Sequence, residues 1–217
     1  MEAVKSVAKR TYDSSGRRRA AERRRLHVIQ IAAILFGERG VDATTLADIA
    51  AAADVSVPYL QGIGTKVDLV GLAVSLVTAG PDQQTREDLT RSRSQLLALA
   101  TPEQFVELVV KGTTEWNARS YGLWRAWAEC SDQDLRESWA RQMRFIRREW
   151  RTLLDDLAPR GWWREGVSSE ERAAAVWMLT MAETYERMVR VAGMRDEQYQ
   201  AWLARSLHDA LIGPASG

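Results

Sequence analysis

Residues 36–69 read FGERGVDATTLADIAAAADVSVPYLQGIGTKVDL, and the capping and breaking residues in this stretch predict short helices in close succession. Gly40 ends the helix that comes before, in a position where helices favour glycine. Thr44 or Thr45 caps the next helix, and Asp48 stands three residues after Thr45, as in a capping box.

Another short helix is predicted after a turn at residues 54–56. Ser56 can cap it, and Pro58 is tolerated in its first turn because the backbone amides there lack intrahelical partners. Thr65 then caps a longer apolar helix that has Asp68 at its third position. Two short helices joined by a tight turn are typical of a helix-turn-helix, whose second helix can lie in the major groove of DNA.

Helical periodicity continues along the rest of the chain, and β-branched alternation is absent. We therefore expect an all-α protein, with a three-helix helix-turn-helix domain followed by a larger helical domain. The other predicted helices span residues 17–39, 102–119, 121–130, 132–157, 168–191 and 196–212.

The composition of the 217 residues excludes several classes of protein. Hydrophobic residues make up 46% and charged residues 27%, which excludes a disordered chain. A single cysteine, Cys130, allows no internal disulfide and favours a reducing cytoplasm. Cys130, His27 and His208 are the only cysteine and histidines in the chain, which is too few ligands for a structural zinc site. We therefore predict no metal and no cofactor. No apolar run has the length of a membrane span or a signal peptide, so no membrane partner is expected.

The formal net charge of +1 conceals an uneven distribution. Residues 1–25 hold nine basic and three acidic residues, a net charge of +6. Residues 1–66 sum to +4 and residues 67–217 to −3. A basic end on a mildly acidic chain suggests a polyanionic partner for that end, although a solvated basic tail has the same composition.

The N-terminal part resembles the DNA-binding domain of the tetracycline-repressor (TetR) family over residues 26–69. In that family a helix ends in Phe-x-x-x-Gly, and Thr-Thr, Ile-Ala, Ala-Gly-Val-Ser and Lys-x-x-Leu follow. The matching residues here are Phe36 and Gly40, Thr44-Thr45-Leu46, Ile49-Ala50, Ala53-Asp54-Val55-Ser56 and Lys66-Val67-Asp68-Leu69. The resemblance implies a flexible basic arm at residues 1–16, a helix-turn-helix DNA-binding domain at 17–66, and a helical effector-binding and dimerisation domain at 67–217.

Two departures from the family pattern concern the residues that would read DNA. Asp54 stands where the family usually has glycine, which adds a negative charge to the turn. Residues 57–66 are about one residue shorter than the pattern, and Ile63 takes the place of a packing phenylalanine. The family's phosphate-binding tyrosine is therefore either absent or supplied from a shifted place by Tyr59, whose alternative role is packing against the first helix.

Within this resemblance, Thr45 and Lys66 would position the protein on phosphates, and the third helix would read bases. The arginine cluster at residues 17–19 could follow the phosphate backbone or enter an adjacent minor groove. Gln61 can pair with adenine, and Val57 and Pro58 can meet a thymine methyl. The alternatives are a plain capping role for Thr45 and a solvated Lys66. The predicted DNA-binding residues are Arg17, Arg18, Arg19, Thr44, Thr45, Ser56, Val57, Pro58, Tyr59, Gln61 and Lys66.

The last two predicted helices resemble the pair through which members of this family dimerise. A two-fold dimer also matches palindromic half-sites on double-stranded DNA. The alternative is that these helix faces only close the core of one chain. The predicted interface residues are Trp177, Thr184, Tyr185, Met188, Tyr199, Trp202, Leu203, Leu207 and Leu211.

All nine tryptophans lie between Trp116 and Trp202, which suggests an apolar effector pocket of the kind the family commonly has. Glu115, Glu129 or Glu183 would add one anionic contact and favour a cationic ligand. The alternative is that most of the rings belong to the core or to the dimer interface. The predicted pocket residues, for a small apolar or aromatic effector, are Trp116, Tyr121, Trp124, Trp127, Met143, Trp150, Trp177 and Met181.

The resemblance implies a TetR-like DNA-binding transcriptional regulator, a homodimeric repressor in the cytoplasm that a small molecule releases from a palindromic operator. The alternative is a small-molecule-binding protein of the same fold with weakened or lost DNA recognition. We expect no enzyme, because neither histidine has a nucleophile motif beside it and Cys130 has acidic neighbours.

Overall fold

The computed structural model describes residues 14–79 and 93–213, in which all regular structure is helical. Residues 1–13 of the predicted arm and the predicted helix end at Gly80-Pro81 lie outside the described residues. The helices are α1 (Ser14–Arg39), α2 (Leu46–Ala52), α3 (Val57–Ile63), α4 (Lys66–Ala79), α5 (93–97), α6 (Pro102–Ala128), α7 (Gln133–Leu157), α8 (Ser169–Thr180), α9 (Ala182–Tyr185) and α10 (Asp196–Leu211). A 3-10 turn, Ala158–Arg160, follows α7, and a π-helical segment, Glu186–Val191, follows α9.

The predicted capping residues begin the short helices of the N-terminal part. Thr45 and Asp48 form a capping box, in which each side chain accepts the backbone amide of the other residue. Ser56 accepts an amide from the first turn of α3. Thr65 and Asp68 repeat the reciprocal pair at the start of α4. These caps satisfy amides that helix starts leave unpaired, which is why the sequence locates the helix starts so well.

Helices α1–α4, which we call the head, form a first hydrophobic core together with one end of α6 and α7. Phe36, Ile49 and Leu60 are fully buried in it. From the remaining helices, which we call the body, Leu123 and Trp127 of α6 enter the same core. The head therefore does not pack as a separate unit, since part of its core is supplied by the body.

The body is built around α6, which is one continuous helix of 27 residues where the sequence predicted two segments, 102–119 and 121–130. Its first turns carry Phe105 and Val109 into a second hydrophobic core, and its last turns enter the first core. Because the helix has apolar residues for a core at each end, nothing requires it to break between them. Buried side chains of α7, α8 and α10 complete the second core: Leu153, Leu154, Leu157, Ala173, Val176, Leu203, Leu207 and Leu211.

The helix predicted over residues 168–191 is interrupted at Met181, whose backbone is extended (φ −65°, ψ 150°). The Asn117 amide on α6 donates to the carbonyl oxygens of Thr180 and Met181, at 3.1 and 3.4 Å. The Thr184 hydroxyl donates to the carbonyl oxygen of Met178 at 2.6 Å. These side chains satisfy carbonyl groups that the break would otherwise leave unpaired, so the interruption depends on a tertiary contact with α6.

The head and the body meet most closely where α1 crosses α6. A β carbon added at Gly122 would lie 3.4 Å from the carbonyl oxygen of Gly37, so the two helix backbones are nearly in contact. Beside this crossing, the Asp42 carboxylate accepts the backbone amide of Ser131 at 2.7 Å. The crossing and this hydrogen bond fix the head on the body.

Within the two described ranges, no single helix is long and apolar enough to cross a membrane. The bent pair formed by α3 and α4 passes the same test by length and composition alone.

Candidate nucleic-acid interface

Helix α3 presents one face to the core and the other to solvent. Leu60 is fully buried and anchors the helix to the head. The outward face carries the predicted DNA-contacting residues: Ser56, Pro58 and Gln61 are exposed, and Val57 and Tyr59 are half-buried. Val57, Tyr59 and Ile63 also pack partly against the first core. The seven-residue helix is thus held by these side chains and Leu60, while Pro58 and Gln61 remain accessible, as a helix that enters a groove requires.

The guanidinium of Arg24, on α1, lies over the ring of Tyr59 at 4.8 Å from its centroid. This cation–π contact orients the half-buried Tyr59 ring and adds an exposed positive charge to the same surface. From the sequence, Tyr59 could either pack against the first helix or contact DNA. The structure places it against α1, through Arg24, with part of its surface open. Arg24 itself was not among the predicted residues, because nothing in the spacing of α1 and α3 shows which arginine reaches the tyrosine.

The arginine cluster Arg17–Arg19 lies inside α1, which begins at Ser14, and all three residues are exposed. An α-helix is about 10–12 Å wide with its side chains, and the minor groove of B-DNA is only about 6 Å wide. The three residues are therefore not an extended arm, and their helix is too wide to lie in a minor groove, whereas their side chains can reach phosphates.

Thr44 is fully buried, and its hydroxyl donates to the carbonyl oxygen of Gly40 at 2.8 Å. The prediction that Thr44 contacts DNA is therefore corrected. Its buried hydroxyl stabilises the turn between α1 and α2 and cannot reach a phosphate. Thr45 is exposed, but its hydroxyl donates to the Asp48 carboxylate at 2.6 Å. These hydrogen bonds with Thr45 hold the pKa of Asp48 below its usual range, so Thr45 is a capping residue next to a fixed negative charge.

Asp54, in the turn before α3, has a left-handed backbone with φ +52°, and it is the one non-glycine residue with positive φ among those described. Glycine adopts this conformation readily, whereas side chains are strained in it and aspartate is among the more tolerant ones. The carboxylate is exposed on the surface that carries α3. The departure from the family glycine thus adds both backbone strain and a negative charge.

The shortened link between α3 and α4 depends on Gly64. A β carbon at this position would lie 2.6 Å from the Cβ of Asp68, which no larger residue could accept without a shift. Lys66 follows as the first residue of α4 and is half-buried. The link, which is about one residue shorter than the family pattern, is therefore accommodated by a close approach of the Gly64 backbone to the Asp68 side chain.

The predicted dimer-interface residues divide into two groups. Trp177, Thr184, Met188 and Trp202 are half-buried and partly accessible. The other five have at most 2% of their surface exposed and pack in the second core of their own chain: Tyr185, Tyr199, Leu203, Leu207 and Leu211. The prediction that these five residues contact a second copy is therefore corrected, because they are already covered by their own chain. An amphipathic pattern cannot distinguish a helix face that closes its own core from one that meets a partner. Two apolar residues that were not predicted, Met178 and Val191, are 53% and 78% exposed.

The structure does not bring the eight predicted pocket residues to one place. Trp116 is exposed, and Trp124 stacks on Trp127 in the first core, with ring centroids 5.7 Å apart. Tyr121 and Trp150 pack against the second core. The aromatics of α6 are spread because this one long helix passes through both cores.

The other three predicted pocket residues are Met143, Trp177 and Met181. Met143 is buried midway along α7, between Leu135 in the first core and Leu153 in the second. The indole Nε1 of Trp177 is buried without a hydrogen-bond partner, and Met181 stands at the helix break. None of the three belongs to either core. Met181 lies beside Asn117 midway along α6, and Trp177 lies beside Arg147 midway along α7, so we call this zone the layer between the two cores.

The groups that could support catalysis or metal binding are poorly placed for either. Burial and the nearby carboxylate of Asp42 raise the pKa of the Cys130 thiol, which disfavours a thiolate. His208 lies 3.8 Å from Asp209 on α10, and His27 is exposed on α1. In the described part of the chain, no group of three His, Cys, Asp or Glu residues could hold a metal ion.

Comparison with known proteins gives a match to one family. The sequence model described as bacterial regulatory proteins, tetR family, matches residues 28–60, which run from α1 to α3. No curated protein sequence matches the chain significantly.

Solved structures share the fold over most of their length. NalD, the secondary repressor of the MexAB-OprM multidrug efflux pump in Pseudomonas aeruginosa, is 16% identical with a TM-score of 0.67, over 89% of this chain and 100% of NalD. The transcriptional regulator FadR from Bacillus subtilis, in complex with stearoyl-CoA, is 15% identical with a TM-score of 0.66, over 88% of this chain and 99% of FadR. A TetR-family regulator from Cytophaga hutchinsonii is 16% identical with a TM-score of 0.64, over 91% of this chain and 98% of that one. The chain therefore carries the N-terminal helix-turn-helix domain of the TetR family and has the all-helical fold of that family's transcriptional regulators.

Proposed function

We propose that the chain is a homodimeric transcriptional regulator that binds a palindromic operator in the cytoplasm and acts as a repressor released by a small molecule. The observation that supports DNA binding most directly is the accessible face of α3, which Leu60 anchors and Ser56 caps inside the matched domain. Arg24 and the basic start of α1 add positive charge to the head, which suits a phosphate backbone.

The decisive experiment is a mobility-shift titration with the DNA that flanks the protein's own gene. A specific complex with a palindromic footprint is expected at low and moderate salt. Persistent failure at low salt, with no ligand added, would favour the alternative of a small-molecule-binding protein that has lost DNA recognition. Asp54 and the shortened α3–α4 link are the features that motivate this alternative.

The arginine cluster is expected to contribute through charge. Replacing Arg17, Arg18 and Arg19 together with alanine should weaken binding to all DNA sequences. It should also reduce the slope of log affinity against log salt by about 0.9 for each phosphate that the protein no longer neutralises. The matched control is the alanine triple of Arg141, Arg144 and Arg148, which removes the same charge from the exposed side of α7. Equal salt slopes in the two variants would show that the cluster binds no phosphate.

Arg24 and Tyr59 are expected to act as a unit. Arg24→Ala should weaken operator binding by about five- to tenfold, because it removes both a charge and the cation–π interaction that orients the ring. In the Tyr59→Ala background, Arg24→Ala should reduce operator affinity by less. A double-mutant cycle should give a coupling free energy of about 0.5–1 kcal/mol between the two residues. Arg23→Ala is the control, since Arg23 is exposed on the same helix and contacts no described ring. Additive effects of the two changes would contradict the coupling.

Two substitutions separate the effects of charge and strain at Asp54. Asp54→Asn keeps a side chain that tolerates the left-handed backbone and removes the charge, so it should tighten operator binding by about two- to fivefold with little change in stability. Asp54→Gly should also raise the free energy of unfolding by up to about 1 kcal/mol, because it removes the strain. Urea titrations and operator binding of both variants test this. A loss of affinity in Asp54→Asn would mean that the carboxylate takes part in recognition.

A second copy of the chain is the proposed partner of the exposed apolar side chains on α8 and on the segment after α9. Met178 and Val191 are more than half exposed, and Met188 on the same segment as Val191 and Trp202 on α10 are half-buried. Apolar side chains this exposed gain stability when a partner covers them, and a two-fold arrangement would place two α3 helices on successive half-sites.

The proposed effector site is the layer between the two cores, beside Met143, Trp177 and Met181. Because α6 runs from this layer into the core of the head, a ligand that displaces α6 would also move α3. Release from DNA requires that the ligand bind the form that does not fit the operator more tightly than the form that does. We propose no catalytic activity, since the Cys130 thiol is buried and its pKa is raised mainly by that burial.

A further inference from the structure

The middle of α6 buries polar side chains between two apolar cores. Thr113, Thr114, Asn117 and Ser120 have between 1% and 7% of their surface exposed, and they lie on one side of the helix over two turns. They account for four of the five buried polar residues in the described ranges. Burying polar groups costs free energy unless they find hydrogen bonds, so a cluster of this kind needs a reason.

Local hydrogen bonds account for part of this cluster. The hydroxyls of Thr114 and Ser120 donate to carbonyl oxygens of their own helix, at 2.8 and 2.7 Å. The Asn117 amide donates across to the break between α8 and α9. The polar stretch of α6 therefore faces the point where the neighbouring helix is interrupted.

Tyr199, on α10, lies beside Asn117 and is fully buried, but its hydroxyl has no hydrogen-bond partner of normal geometry. Burial raises the pKa of Tyr199 to about 12, so the hydroxyl carries its proton at any pH at which the protein works. The rings of Tyr185 and Trp202 pack against Tyr199, with centroids 5.2 and 5.8 Å away. The Tyr199 hydroxyl is thus a neutral hydrogen-bond donor that is surrounded by aromatic rings and has no acceptor.

No charged residue is buried in the described part of the chain, which bears on the kind of ligand that fits. Glu115 and Glu129, which were predicted from the sequence as possible anionic contacts, are exposed, and Glu183 is half-buried. A cation placed beside Tyr199 would lose its hydration without meeting a carboxylate, and an anion would meet no fixed positive charge.

We infer that the effector is a neutral small molecule with one hydrogen-bond acceptor, such as a ketone or an ester, which accepts a hydrogen bond from the Tyr199 hydroxyl beside Asn117 while an apolar remainder packs on the neighbouring rings. This inference rests on the proposed function, since it specifies the class of effector, and it places the acceptor at Tyr199 of the second core, beside the Asn117 side chain that bonds to Met181 of the effector layer. The site is closed in the structure, and the element that can open it is the chain from the break at Met181 through the π-helical segment. Single π-helical turns within helices are often found at functional sites.

The test uses the naphthalene dye prodan, a neutral ketone whose emission shifts to the blue when its carbonyl loses a hydrogen bond. Full-length protein is titrated with prodan and with the smaller ketones 2-acetylnaphthalene and acetophenone, and the ketones are then competed against prodan. Tyr199→Phe should weaken prodan binding by about five- to tenfold and shift the bound emission to the blue. Thr152→Val, which removes an exposed hydroxyl on α7, is the control and should change neither quantity.

Stability distinguishes the inferred role from a structural one. Because the hydroxyl is buried without a partner, Tyr199→Phe should raise the Tm by about 2–4 °C, whereas loss of a structural hydrogen bond would lower it. A naphthylmethyl trimethylammonium ion is the cationic competitor and should fail to displace prodan.

Three results would overturn the inference: no saturable binding of any of the three ketones, unchanged prodan affinity in Tyr199→Phe, or stronger competition by the cation than by 2-acetylnaphthalene. Operator binding by the ligand-free protein is measured in parallel. If it fails, the proposed DNA-binding function falls while the ligand class stands on the dye result. If the operator is bound but Tyr199→Phe has no effect on prodan, only the ligand class falls.

Discussion

Met178→Glu is expected to convert the dimer to a monomer and to weaken operator binding by more than about 100-fold. Met178 is 53% exposed on α8, and the proposed interface would bury it against the second copy. Burying an unpaired carboxylate there would cost several kcal/mol, far more than removing the apolar methionine side chain alone. Since a palindromic operator is read by two heads at a fixed separation, a monomer binds only one half-site.

Sedimentation and operator titration of the same preparation check this expectation. Phe145→Glu is the matched control, because Phe145 is 41% exposed on α7, a helix that carries none of the proposed interface residues, and receives the same charge. The control should remain dimeric and bind the operator normally. A dimeric Met178→Glu protein, or a monomeric Phe145→Glu protein, would place the interface elsewhere.

Gly122→Val is expected to destabilise the protein by about 2–3 kcal/mol and to impair operator binding in the fraction that stays folded. A β carbon at this position already lies 3.4 Å from the carbonyl oxygen of Gly37, so the two γ carbons of valine would push α1 away from α6. Helix α1 carries Arg24 and packs against α2 and α4, so its displacement changes the direction of the recognition helix.

The control for this substitution is available in the same helix. Gly112 also lies within α6, and a β carbon there meets nothing within 4 Å. Gly112→Val should therefore leave the stability nearly unchanged or slightly raised, since valine has the better helix propensity. Chemical denaturation of both variants separates the steric effect from helix propensity. Equal stabilities would show that the α1–α6 crossing tolerates separation.

The local features of the head could be predicted well from the sequence. Thr45 with Asp48, and Ser56 at the start of α3, place the short helices because a cap acts on amides within three residues of itself. The same local pattern recurs at Ser168 and Glu171, which form a capping box at the start of α8. Chemistry confined to one helical turn is visible in the residue order alone.

Longer-range contacts explain where the predictions were wrong. Thr44 and Thr45 are adjacent and chemically identical, yet one is fully buried and the other exposed, because the turn packs Thr44 against the end of α1. The break at Met181 could not be anticipated, since its carbonyl group is satisfied by Asn117, 64 residues away. Tyr199 and Leu203 lie on the apolar face of an amphipathic helix, and this face packs in the second core of their own chain instead of against a second copy.

The sequence by itself determined the helical class of this protein, the helix-turn-helix in its N-terminal part, and the outward residues of α3, because each follows from periodicity and caps within a few residues. Only the tertiary structure decided which arginine meets Tyr59, which aromatic residues are core, and where an unpaired hydroxyl is left for a ligand. These outcomes depend on how α6 passes through two cores and crosses α1 at Gly37 and Gly122. The physical reason is that burial and hydrogen-bond satisfaction are properties of contacts between helices distant in the chain, which periodicity along one helix does not encode.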